Sequence, residues 1–173
     1  MILTKATTDR YEEVRLFYHS LIDAMQGSPY LPGWQKDIYP APEFLDHSIR
    51  KNELYIGMES DEIACAMVLN HDCNEGYAEF DWPTKASAGE IMVIHALGVH
   101  PRHFGKGFAR QMVRAAIQEA REEKQKVLRL DVLKGNIPAE RLYTTEGFRY
   151  LHTLPMFYED TGWTDYELFE YVL

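Results

Sequence analysis

The run Ile91–Val99, "IMVIHALGV", passes directly into "HPRHFGKGFARQMV", and that transition constrains the fold more than any other stretch. A nearly continuous apolar run with β-branched residues marks a central strand buried on both faces. Pro101 ends it, and a short basic segment with Gly105 and Gly107 follows. Helical spacing then begins in Phe108, Met112, Ala115/Ala116 and Ala120. Glycines in such a turn let the backbone come close to a ligand, and the helix start aims free N–H groups at it. The ligand that suits this arrangement is an anion, phosphate foremost.

The flanking pattern supplies the layers around that strand. Met1–Lys5 reads as an edge strand. Tyr11, Val14, Phe17/Tyr18, Leu21/Ile22 and Met25 recur at helical spacing, with Asp9 and Glu12 placed as a capping pair and an end near Gln26-Gly27. "GSPYLPGWQKDIYPAP" is a loop, and Pro42 opens a second helix to about Lys51. Leu54–Met58 and Ile63–Asn70 flank "ESDE" as a hairpin. "CNEGYAEFDWPTKASAG" predicts a loop with one irregular strand. Val127–Leu133 alternates, with Leu128, Leu130 and Val132 on one face and Arg129 and Asp131 on the other. Pro138 opens a helix that Gly147 ends, and Phe148–Leu154 and Tyr166–Leu173 are the last two strands. The order β-α-α-β-β-β-α-β-α-β-β predicts a mixed α/β fold, one sheet with helices on its faces, with residues 1–173 forming a single domain.

Composition narrows the partners. A net charge of −9 argues against a general nucleic-acid binder and leaves His100, Arg102, His103, Lys106 and Arg110 as a local basic patch. Cys65 and Cys73 lack a metal or redox spacing and read as free thiols in a reducing cytoplasm. No segment has the run of about 18 apolar residues that a membrane span requires, and the N-terminus lacks an apolar leader core, so no membrane partner is expected. His95, His100 and His103 lack an acidic or thiol partner at ligand spacing, so no metal is expected.

Three phosphate-binding patterns compete for the glycine turn. The loop G-x-x-x-x-G-K-[ST] is absent, because Gly107 and Phe108 follow Lys106. The dinucleotide fingerprint G-x-G-x-x-G fails at Arg110, where helix–strand packing needs a small residue. The third pattern fits. Val99, His100 and Pro101, then Phe104, Gly105, Lys106, Gly107, Phe108 and Ala109, resemble motif A of the Gcn5-related N-acetyltransferase (GNAT) superfamily. Phe104 departs from that motif, which has Gln or Arg in its place. "NIPAERLYTTEGF" resembles the family's N-x-x-A-x-x-L-Y-x-x-x-G-F segment at Asn136, Ala139, Leu142, Tyr143, Gly147 and Phe148. The order of elements agrees, so the resemblance covers essentially the whole chain.

That resemblance implies a central mixed sheet of about seven strands flanked by about four helices, with acetyl-CoA as cofactor. It implies that Leu97, Gly98, Val99, Phe104, Gly105, Lys106, Gly107, Phe108, Ala109, Arg110, Asn136 and Tyr143 hold the cofactor. The pantetheine arm would lie in a gap beside the central strand, with the Leu97 N–H near the thioester oxygen. Gly98 reads either as a close backbone approach or as a residue that packs beneath a helix.

The implied activity is direct transfer of an acetyl group to a primary amine of a small molecule or peptide. The alternative is a module that binds an acyl-CoA without turnover. An amine with a pKa of ~10.4 costs roughly 4.6 kcal/mol to deprotonate at pH 7, so a base is useful. His95, which interrupts the apolar strand, is the first candidate and Glu90 the second, with Tyr143 as the implied acid for the departing thiolate. Tyr18, Tyr30, Trp34 and Tyr39 in one segment, and Phe157, Tyr158 and Trp163 in another, are the candidate acceptor wall. Glu159, Asp160 and Asp165 among these aromatics suit a cationic amine. A homodimer is left open.

Overall fold

The computed structural model describes residues 1–30 and 33–173; Leu31 and Pro32 of the proline-rich loop lie outside them. Seven strands form one sheet in the order β1-β2-β3-β4-β5-β7-β6. They are β1 (Ile2–Lys5), β2 (Leu54–Glu59), β3 (Glu62–Asn70), β4 (Ile91–Val99), β5 (Val127–Leu133), β6 (Arg149–Tyr158) and β7 (Gly162–Val172). Among the described residues four α-helices flank them: α1 (Tyr11–Met25), α2 (Pro42–Arg50), α3 (Phe108–Glu122) and α4 (Ile137–Thr145). Every neighbouring pair is antiparallel except β4 with β5.

One face of the sheet carries a continuous core. Phe108, Met112, Val113, Ala116, Ile117 and Ala120, the buried stripe of α3, pack on Met67, Met92, Leu128, Leu130 and Phe169. The opposite face carries two separate cores. α1 and α2 cover β2–β4 through Val14, Phe17, Leu21, Leu45 and Ile49. Tyr77 and Trp82 cover Ile91, Val93, Val127 and Leu168.

The parallel pair is short. β4 and β5 are in register only at Ile91–Val127, Met92–Leu128 and Val93–Arg129, and then diverge. On its other edge, β4 carries a bulge. Ala66 pairs with Gly98 and Val68 with His95, so Ala96 and Leu97 together oppose Met67. Ala96 adopts φ 48°, and the buried Tyr18 hydroxyl donates to its carbonyl at 2.8 Å.

Three local expectations change. The Asp9/Glu12 cap does not form, because a 3-10 turn over Thr8–Arg10 runs straight into α1 and places Arg10, not Asp9, at the helix cap. Residues 73–89 contain no strand. Asn74 caps a 3-10 turn, Glu75–Glu79, that folds Tyr77 inward. The last hairpin is longer than its apolar runs suggest, with only Glu159–Thr161 between β6 and β7. Pro155 is tolerated because β6 is an edge strand, where a missing N–H costs no ladder bond.

Candidate active site

The diverging ends of β4 and β5 open a groove of about 680 Å³, which runs to the start of α3. Leu97, Gly98 and Val99 wall one side, and Phe104, Gly105, Gly107, Phe108, Ala109 and Arg110 wall its end. Gly105 and Gly107 have φ of 79° and 76°, in the left-handed region that favours glycine. A Cβ at either would meet nothing within 4 Å, so the turn stands open to a ligand. Gly107 is the N-cap of α3 and offers no side-chain cap, so the free N–H groups of the first turn face the groove's end.

The basic patch is partly neutralised from within. Lys106 Nζ lies 3.3 Å from Glu59 and does not wall the groove, and Arg110 Nε lies 2.9 Å from Glu146. His100 is buried, bonds Ser20 Oγ at 3.0 Å, and is pushed below its ordinary pKa by burial and then by Arg102. Asn136 serves twice, accepting from Ala139 N as the cap of α4 and lining the groove. At Gly98 packing decides: an added Cβ would meet Leu21 at 3.0 Å and Trp34 at 3.2 Å.

A second cavity, of about 100 Å³, adjoins the groove and shares Trp34, Leu97, Asn136 and Ala139 with it. His95 and Tyr143 line it, together with Tyr39, Tyr158, Tyr166, Asp131 and Asp160. Burial pushes His95 down to about 4, so its imidazole is neutral at pH 7, and its Nε2 has no hydrogen-bond partner. Burial raises the Tyr143 phenol above its usual value, and its ring packs on Phe148 and Phe169.

Asp131 is the residue that sequence reasoning passed over. Its Oδ2 accepts hydrogen bonds from the Tyr77 and Tyr158 hydroxyls, each at 2.9 Å. Burial pushes its carboxyl up to about 6, against the pull of those two phenols. The signal lies in the alternation of Val127–Leu133: on an interior strand of a sheet covered on both faces, a carboxylate has no solvent to reach.

Other candidates fall elsewhere. Glu90 does not join the cavity. It is exposed, and its Oε2 accepts from Ser87 N at 2.8 Å and Ser87 Oγ at 2.9 Å, which holds it below the usual carboxylate range. Tyr18 lies beneath the cavity and positions the bulge. Tyr30 lines the groove instead. Trp163 is 74% exposed and packs on Phe157 outside both cavities.

The profile of the Acetyltransferase (GNAT) family matches residues 17–148, which is most of the chain. The chain belongs to that family. Among solved structures, a GNAT-family acetyltransferase from Streptococcus agalactiae aligns with TM-score 0.81 at 15% identity, over 99% of this chain and 95% of that one. The ribosomal-protein-alanine N-acetyltransferase of Brucella melitensis aligns with TM-score 0.72 at 19% identity, over the whole of both chains. The Salmonella typhimurium protein yncA, solved with its cofactor acetyl-CoA, aligns with TM-score 0.70 at 17% identity, over 100% of this chain and 94% of that one. No curated protein sequence matches this chain.

This GNAT chain uses acetyl-CoA as its cofactor, and the groove fits it. An open glycine turn and an uncapped helix start suit a pyrophosphate, and β4 beyond Val93 has no partner strand across the gap to pair with its backbone.

Proposed function

We propose that the protein moves the acetyl group of acetyl-CoA directly to a primary amine of a small molecule or peptide, with both held at once. The shared wall of the groove and the cavity carries this reading, because it lets donor and acceptor meet at Leu97. Among the described residues lining the cavity there is no serine or cysteine to take the acetyl group first, which favours direct transfer.

Acetyl-CoA supplies a thioester, an acyl group on a thiolate that leaves readily. Asp131 receives the proton from the incoming ammonium, since a carboxyl near 6 is ionised at pH 7 yet binds a proton better than an ordinary aspartate. Neutral His95 accepts a hydrogen bond from the same nitrogen and orients its lone pair. The Leu97 N–H offers a donor to the carbonyl oxygen, and the Tyr143 hydroxyl gives a proton to the sulfur. As the amide forms, the nitrogen sheds its second proton to the Tyr143 phenolate, and Asp131 releases the first to solvent, so both side chains regain their starting states. The carboxylates and aromatic rings favour a cationic acceptor.

The test is free-thiol release from acetyl-CoA against a mixed panel of amines, beside thermal-shift measurements with CoA. Release with at least one amine class is expected. Stabilisation by CoA with no release from any amine would show a binding module instead.

A further inference from the structure

The two carboxylates of the small cavity differ in what meets them. Asp131 is held by two phenols on Oδ2 and lines the cavity. Asp160 sits in the β6–β7 turn, which Gln35 Nε2 fixes by donating to the Asp160 carbonyl. The residue is 9% exposed, and its Oδ1 is buried with no hydrogen-bond partner. A buried carboxylate oxygen without a donor is costly, and a ligand donor would relieve that cost.

The carboxylates stand at two ends rather than at one spot. The Tyr158 hydroxyl reaches Asp131, whereas the Tyr166 hydroxyl pairs with Thr161, the neighbour of Asp160 in the β6–β7 turn. Tyr39, Tyr158 and Tyr166 form the wall between them, with ring centres 5.7 Å and 4.9 Å apart along the series. Among the described residues lining the cavity there is no lysine or arginine. An acceptor carrying its own carboxylate beside the amine would therefore face like charge with no counter-ion. The volume of about 100 Å³ is below the ~150 Å³ that holds a six-carbon ring, so the occupant is a slender chain.

We infer that the small cavity is a two-point site for a short aliphatic diamine, with the reacting nitrogen at Asp131 and the second ammonium on Asp160. This rests on the reading of the protein as an amine acetyltransferase. The aromatic wall adds cation–π contact for both charged ends. A monoamine of the same length satisfies Asp131 and leaves Asp160 Oδ1 unmet.

The experiment compares α,ω-diamines of three to six carbons, each with the n-alkylamine of equal heavy-atom count, by thiol release and by calorimetric titration into CoA-saturated protein. At the best length, kcat/KM of the diamine is expected to exceed that of its monoamine partner by at least tenfold. Asp160→Asn should bring the pair within twofold, with the loss carried by KM rather than kcat and with calorimetric affinity for the diamine falling by at least tenfold. Its Tm and CoA affinity report whether the hairpin is intact, and Asp160→Ser serves if Asn disturbs it. Equal use of diamine and monoamine by the wild-type protein at every length overturns the inference, as does an undiminished preference in a folded Asp160 variant. Turnover of other amines without diamine preference overturns this site and leaves the acetyltransferase reading standing. CoA binding with no thiol release from any amine overturns both.

Discussion

Asp131 and His95 are driven by burial in opposite directions, and stability and activity should both record it. Asp131 holds its proton to about 6 when folded, against 3.8 for an ordinary aspartate. Its contribution to stability is therefore fully present below about 3.8 and is lost as pH rises through 6. At pH 7 the ionised carboxylate costs up to about 3 kcal/mol. His95, lowered from 6.5 to about 4, contributes above 6.5 and loses that contribution as pH falls toward 4. The two slopes oppose each other, so the wild-type protein should hide both. Asp131→Asn keeps the shape and can still accept from the two phenols. It should raise Tm at pH 7 by up to about 10 °C, a gain that vanishes near pH 4. The same variant should lose ~10²-fold or more in kcat/KM, together with the acidic limb near pH 6. His95→Ala should keep that limb. A limb that survives in Asp131→Asn would move the proton to His95 or to water.

Tyr143 allows a milder test, since a thiolate with a pKa near ~8.5 leaves tolerably without a proton. Tyr143→Phe keeps the buried ring and its contacts with Phe148 and Phe169. CoA affinity and Tm should hold, while kcat falls by ~10- to 10³-fold. The deficit should shrink with a thioester of a more acidic thiol. Lost stability with kcat unchanged would leave the hydroxyl without a catalytic part.

Among the elements, the turn into α3 is the most exposed to a single substitution. Gly107→Glu places a side chain at φ 76° and a negative charge at a helix N-terminus meant for an anion. Calorimetry should show CoA affinity reduced by tenfold or more. Gly107→Ala, which brings only the backbone strain of about 1 kcal/mol, should bind CoA more nearly as the wild type does. Equal affinity in Gly107→Glu would remove this turn from the cofactor site.

The turn and its helix were legible in the chain because everything that specifies them is local: an apolar run, Pro101, two glycines and a 3.6-residue stripe. Most of the groove's wall comes from two short stretches of one segment, Leu97–Val99 and His103–Arg110, for the same reason; Lys106 within it turns to Glu59 and does not line the groove. The wall of the small cavity was legible only as a list of aromatics. Trp34, Tyr39, Asp131, Tyr158 and Asp160 meet through a bulge, a hairpin longer than its apolar signal and the packing of Tyr77, none of which a periodicity reports. Trp163 shows the converse error. It alternates with its neighbours along β7 and faces out, although its composition suited the cavity.

At the scale of the whole molecule, the face beneath α3 and α4 is packed without interruption, while the other face is divided into two cores. The small cavity, proposed above for the acceptor, is lined from both of those cores. β4 and β5, which cross that boundary, share only three register pairs, all at one end. The sheet is therefore two plates joined along Ile91–Val93, with α3 as the strap across their back. Such a joint can breathe. Amide exchange should find it, with the gap-facing amides of Ile94–Leu97 exchanging faster than those of Ile91–Val93 in the free protein. Saturation with CoA at a hundredfold over its Kd stabilises the fold by about 2.7 kcal/mol. The added protection should concentrate on those same amides; a uniform slowing would mean that the plates do not move apart. If they do, the distance between the two carboxylates' ends of the cavity is a variable of the free protein, and loading the cofactor is what sets the ruler against which an acceptor is measured.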